Sequence, residues 1–181
     1  MSEAAESFKS KFLWETIRRF DHYIATTNTK SSMILAFDGL VIGSILLKFN
    51  TVTNLFAPSE RGMTLAVILL CCLGITSSLS LVYAFRVINP FLKSGNIAGD
   101  YHSLLFFGSI TDLTKEIYDK KIDELDEQKA QGDLKSQSFV LARGLALKMR
   151  DLRSSIGFIF LSIVVVIALF LLRGILALGL L

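Results

Sequence analysis

The sequence predicts an all-α integral membrane protein with about three transmembrane helices, an N-terminal amphipathic helix and a cytoplasmic helical hairpin continuous with the last span. Three observations predict it. The 181 residues are 52% hydrophobic and only 19% charged, with mean hydropathy +0.55, which is too apolar for an ordinary soluble domain. Residues 63–85 and 154–172 carry no charged side chain, as a bilayer-crossing helix requires. The polar remainder repeats its apolar residues at helical spacing.

Taken in order, residues 8–27 form the amphipathic helix. Phe8 and Phe12 are four apart, and Leu13, Ile17, Phe20 and Ile24 step by four, three and four, while Lys9, Lys11, Arg18, Arg19 and Asp21 fall elsewhere. This apolar face is expected to pack on the rest of the cytoplasmic part, with a place in the lipid headgroup layer as the alternative. The polar residues TNTKSS at 26–31, with Ser32, stand at the mouth of the first span, 33–49, which is interrupted only by Asp38 and Lys48. Lys48 lies near an end and snorkels. Asp38 is costly inside a span; it is either a pore or proton site, or a shallow residue hydrogen-bonded to a neighbouring helix.

A short turn with Pro58, Glu60 and Arg61 leads to the second span, 63–85. Arg86 ends it, and Pro90 stops the helix. The loop that follows holds Gly95, Gly99 and the aromatic cluster Tyr101, Phe106 and Phe107. Ser109-x-x-Asp112 has the form of a capping box and predicts a helix from there to about Lys129, broken at Gln131-Gly132-Asp133. From Leu134 nothing forces a stop before Leu172, so the last cytoplasmic helix runs on into the third span. The resulting segments are 1–31, the N-terminal cytoplasmic helix; 32–88, a two-span hairpin; 89–153, a cytoplasmic helical sensing segment; and 154–181, the third span.

Five Lys or Arg precede the first span and eleven lie from Arg86 through Arg153, against Arg61 and Lys48 at the connection between spans one and two. That asymmetry predicts a cytoplasmic N-terminus and central segment. The mixed acids and bases of the first residues predict no cleaved signal peptide. Net charge is +3 and scattered in sign, which argues against a nucleic-acid polymer as partner. Cys71 and Cys72 are adjacent in an apolar run and are expected to be inert packing residues. His22 and His102 have no partner at a ligand spacing, so no metal is expected. No nucleophile has an adjacent base, and neither an enzyme nor a cofactor is expected.

A binding function is better supported. A small anion at the membrane surface needs a cation or a helix N-terminus, and a flat apolar surface for the rest of the molecule. Lys30, Arg86, the helix start at Ser109 and the rings of Tyr101, Phe106 and Phe107 are all expected near the cytoplasmic interface. Singly, Arg86 is a positive-inside anchor and the phenylalanines are core.

The strings RFDHYIATTNTKSSMILAFDG, VINPF and LLFFGSI, and more weakly QSFVLARGLALKMR, resemble the transmembrane effectors of bacterial Pycsar anti-phage systems. The resemblance covers about residues 15–155. It implies an effector of the bacterial inner membrane that binds a cyclic pyrimidine mononucleotide, cCMP or cUMP, made by a neighbouring cyclase. It then acts as a homo-oligomer to impair the membrane and arrest or kill the infected cell. By position, Thr29 and Lys30 match the family's Thr-Lys step, Pro90 its post-span proline, and Phe106, Phe107 and Gly108 its Phe-Phe-Gly turn. Asp38 departs from the family, where Asn is expected, and a carboxylate there would repel a phosphate; it is therefore placed outside the ligand pocket or protonated, as a candidate for the membrane-active step. The alternative is a non-sensing membrane subunit or small ion channel whose cytoplasmic helices recruit a protein partner.

Overall fold

The computed structural model describes residues 3–89 and 103–179, and these hold helices and turns without a strand. Among the described residues five helices follow in order: α1 Glu3–Asn54, α2 Glu60–Ile88, α3 Phe107–Thr111, α4 Lys115–Asp123 and α5 Glu127–Ala177. Of these, α1, α2 and α5 are long and apolar enough to cross a membrane. The expectations at Pro90, Gly95, Gly99, Tyr101 and His102 lie outside the described residues. Two compact units emerge, a polar unit of Met1–Thr26 with Pro90–Lys148 and a membrane unit of Thr27–Asn89 with Met149–Leu181.

Within the membrane unit, buried positions alternate steps of three and four. They run Ser31, Ile34, Asp38 on α1, then Ala66, Leu70, Leu73, Ser77, Ser80, Ala84, Val87 on α2, with Leu152, Ser155, Ser162, Val165 and Leu172 on α5. This is the spacing of knobs-into-holes packing, and much of it falls on small residues that let helices approach closely. Two apolar clusters hold the ends of the seam. Ile34, Ala84, Val87 and Leu152 form one; Phe56, Ala66 and Leu172 form the other. Gly62 permits the second, because a Cβ there would lie 2.7 Å from a methyl of Leu176.

Through the TNTKSS stretch α1 runs unbroken: Thr26 and Ser32 donate back to the carbonyls of His22 and Asn28 at 2.9 and 3.1 Å, so their hydroxyls are spent inside the helix. Three local expectations are corrected. Ser109 caps nothing. It is buried within the short α3, and the next helix starts instead at Thr114, whose hydroxyl accepts from the Ile117 N–H. The chain breaks at residues 124–126 and not at 131–133, because Asp126 accepts from the Lys129 N–H at 2.7 Å and opens α5; Gly132 is absorbed at about 1 kcal/mol. Cys71 and Cys72 are free and exposed, since the seam turns Leu70 and Leu73 inward and leaves the cysteines on the outer face.

In the polar unit, Ile17 is buried and Leu13, Phe20 and Ile24 are half-buried, so that stripe packs as expected. Phe8 and Phe12, by contrast, are exposed.

Candidate functional site

The membrane unit carries a ladder of hydroxyls between its two apolar clusters. Ser31 on α1 donates to the Ala84 carbonyl on α2 at 2.8 Å. Ser80 and Ser155 join α2 to α5 with their hydroxyl oxygens 3.1 Å apart, and each hydroxyl has the other's oxygen and the other's carbonyl as alternative acceptors for its one proton. Thr76 and Ser162 meet at 2.8 Å, with Ser77 at 3.4 Å from the same oxygen. Each such bond contributes about 0.6 kcal/mol in a bilayer, so together they fix the register of the three helices.

Asp38 lies inside this ladder and is fully buried. Ser80 faces its carboxyl without closing a hydrogen bond of ordinary geometry, and neither carboxyl oxygen has a partner. The bond to a neighbouring helix that one of the two readings of Asp38 expected is not closed in this geometry. Asp38 occupies a seam position, and the hydroxyls opposite it are committed to each other.

At the end of α2, Arg86 is 57% exposed at its side chain and pairs with Asp151 of α5, Nε to Oδ2 at 3.5 Å. Arg150 approaches the other oxygen of Asp151 at 3.8 Å. The Arg86 guanidinium also lies over the Tyr83 ring at 5.6 Å, and Tyr83 stacks on Phe158. Thr29 and Lys30 belong to the same unit and are exposed on α1. Asp151 and Tyr83, which sequence reasoning missed, make Arg86 part of a cluster of two guanidiniums on one carboxylate over an aromatic face.

In the polar unit, Ser103 organises the turn that holds the Phe-Phe-Gly residues. Its hydroxyl accepts from the N–H groups of Leu105 and Phe106 at 3.0 and 3.2 Å, while Leu104 donates its N–H to Asp133 at 2.8 Å. Phe106 and Phe107 meet with ring centroids 4.9 Å apart. Gly108 lets the Phe106 ring lie close against the backbone, because a Cβ would come within 2.5 Å of that ring and displace it. Ser109 is buried behind the turn and Phe107 is exposed. Tyr101 lies outside the described residues.

The same unit contains an open cleft of about 480 Å³ lined by Leu104, Lys121, Glu124, Leu125, Lys129, Gly132, Asp133 and Ser136. That volume suits a small ligand. Two ammonium groups share the lining with two carboxyl groups, those of Glu124 and Asp133, and with two leucines and a serine. Lys129 donates to the Glu124 carbonyl at 2.9 Å and pairs with Asp126 at 3.6 Å. Burial pushes the Asp133 carboxyl up, against the lowering effect of the Leu104 and Leu105 N–H groups. Among the described residues no group of His, Cys, Asp and Glu is placed to hold a metal.

The family model of the Pycsar effector protein domain matches residues 12–174. No curated protein and no solved structure matches the chain.

Proposed function

The chain belongs to the Pycsar effector protein family of anti-phage defence effectors, and from that premise we propose that it binds cCMP or cUMP and then impairs the inner membrane. The infected cell stops growing or dies. The protein acts by binding and not by turnover, as a homo-oligomer with its N-terminus in the cytoplasm. The excess of basic residues before the first span and after the second supports that orientation.

The ligand site we favour is the cleft of the polar unit. The observation that carries it is the meeting of Lys121 and Lys129 with Leu104 and Leu125 around a space of mononucleotide size. The ammonium groups supply charge for the single phosphate, the leucines an apolar wall for the base, and Ser136 and Asp133 polar groups for its edge. Leu104 belongs to the turn that leads through Phe106 into α3, where Phe107, Gly108 and Ser109 lie, which links the cleft to the Phe-Phe-Gly motif. Occupancy shifts the protein only by a difference in affinity between its resting and active arrangements. Both units draw on α5.

The Arg86 cluster supports a second location. A cyclic phosphate would displace Asp151 from Arg86 and Arg150 and lay its base on Tyr83, with Thr29 and Lys30 nearby in the sequence reading. Calorimetry on the purified full chain with cCMP and cUMP decides between them. Lys121→Ala is expected to weaken binding about tenfold, equivalent to about 1.4 kcal/mol, and Arg86→Ala to leave it unchanged; the reverse result moves the site to Arg86. No heat with either nucleotide refutes the sensing function and leaves the non-sensing subunit.

A further inference from the structure

A carboxylate withdrawn into a bilayer is tolerated when it is paired, hydrated or neutralised. Asp38 has none of the usual partners. Residues 31–47 of α1 hold no other charge, and residues 63–85 of α2 and 154–172 of α5 hold none at all. The charged side chains nearest to these stretches flank them: Lys30 and Lys48 on α1, Arg86 on α2, Arg153 and Arg173 on α5. Both oxygens of Asp38 are buried without a hydrogen bond.

We propose that Asp38 is a proton-binding site on a hydroxyl-lined path through the membrane unit, so that the membrane impairment takes the form of proton conduction. The inference rests on the effector reading above and names the species that crosses. A metal cation asks for about six oxygen ligands, whereas Asp38 and Ser80 offer three. A proton asks only for one carboxyl oxygen and one acceptor.

Hydroxyls continue the path along α2 and α5. Ser80 and Ser155 form one rung, and Thr76, Ser77 and Ser162 form the next. Rungs one or two helical turns apart are separated by about 5–10 Å, a gap that ordered water bridges. Further along, Val41, Ser44, Ile45 and Lys48 of α1 line a mostly apolar open groove of about 360 Å³, and the packed Phe56, Ala66 and Leu172 cluster follows. An apolar constriction such as that cluster blocks conduction while dry and opens when wetted. In each transfer Asp38 forms one O–H bond with a proton from one side and breaks one by releasing a proton to the other. Nothing is consumed, and the transmembrane proton gradient drives the flow.

The test uses the full chain in vesicles of bacterial phospholipid containing a pH-sensitive dye, with nucleotide binding measured on the same preparation. The expected result is proton entry on adding the nucleotide that binds, without escape of trapped calcein. Asp38→Asn abolishes that entry while binding is retained, and Ser80→Ala slows it. Nucleotide binding with equal calcein escape from wild type and Asp38→Asn overturns the proton path and leaves the effector reading standing. If neither nucleotide binds, the effector reading fails and infrared spectroscopy judges the site alone. A protonated-carboxyl C=O band present in wild type and missing in Asp38→Asn supports proton binding; its absence from wild type overturns it.

Discussion

Asp133 in the polar unit and Asp38 in the membrane unit are both withdrawn from water, yet the two regions around them are built differently. Asp133 accepts the N–H of Leu104 from 29 positions away in the chain, and so ties the turn at residues 103–106 to α5. Asp38 has a full hydroxyl ladder beside it and bonds to none of it. The contrast separates an acid used as a fastener from an acid that the fold holds at a cost. A group held at a cost and tied to no structural partner is where function should be sought.

The largest effect expected from this contrast is at Asp133→Ala. It strands the Leu104 N–H and costs about 2 kcal/mol, measurable as a lowered unfolding midpoint in detergent together with faster hydrogen exchange at Leu104. Ser80→Leu tests the ladder itself. Forcing a large side chain between α2 and α5, where both serines are fully buried, costs about 2 kcal/mol; a midpoint like that of wild type would mean that the two helices do not touch there. Ser155→Ala is milder at about 0.6 kcal/mol, and a double-mutant cycle with Ser80→Ala should return a coupling of similar size.

Smaller still is the pH effect at Asp133. Because burial holds its carboxyl above the ordinary value near 3.8, its contribution to stability is present below that value and lost as pH rises through the raised one. Asp133→Asn keeps an acceptor for Leu104 and removes the ionisation, so its stability should gain on wild type from acid toward neutral pH. Parallel curves would place Asp133 in water. The least thermal effect is expected at Asp38→Asn, within about 0.5 kcal/mol of wild type. A loss as large as that of Asp133→Ala would make Asp38 a fastener too, and the contrast would disappear.

Much of the fold was legible because hydropathy is a sum over local residues. The apolar stretches at 63–85 and 154–172 and the run of α5 through the second of them needed no partner to be recognised. The continuity of α1 through residues 26–32 was not legible, because hydroxyl-rich stretches suit a turn and a helix equally; the i−4 carbonyls of His22 and Asn28 settled it. The seam itself had left a signal. Ile17, Phe20, Ile24, Thr27, Ser31, Ile34 and Asp38 continue one alternation of three and four, which the polar identity of several members conceals. The pairing of Arg86 with Asp151 and of Ser80 with Ser155 left none, since each joins residues far apart in the chain.

By itself the sequence determined that three stretches are long and apolar enough to cross a bilayer, where the basic residues concentrate, and which family the chain belongs to, because each depends on composition or short motifs within one segment. Only the tertiary structure decided that Asp38 is enclosed without a partner, that serines on separate helices form rungs beside it, and that Lys121, Lys129 and Asp133 share a cleft. Those facts depend on which faces of distant helices meet, and in a membrane that choice is made by close packing and hydrogen bonds between segments and not by hydrophobicity.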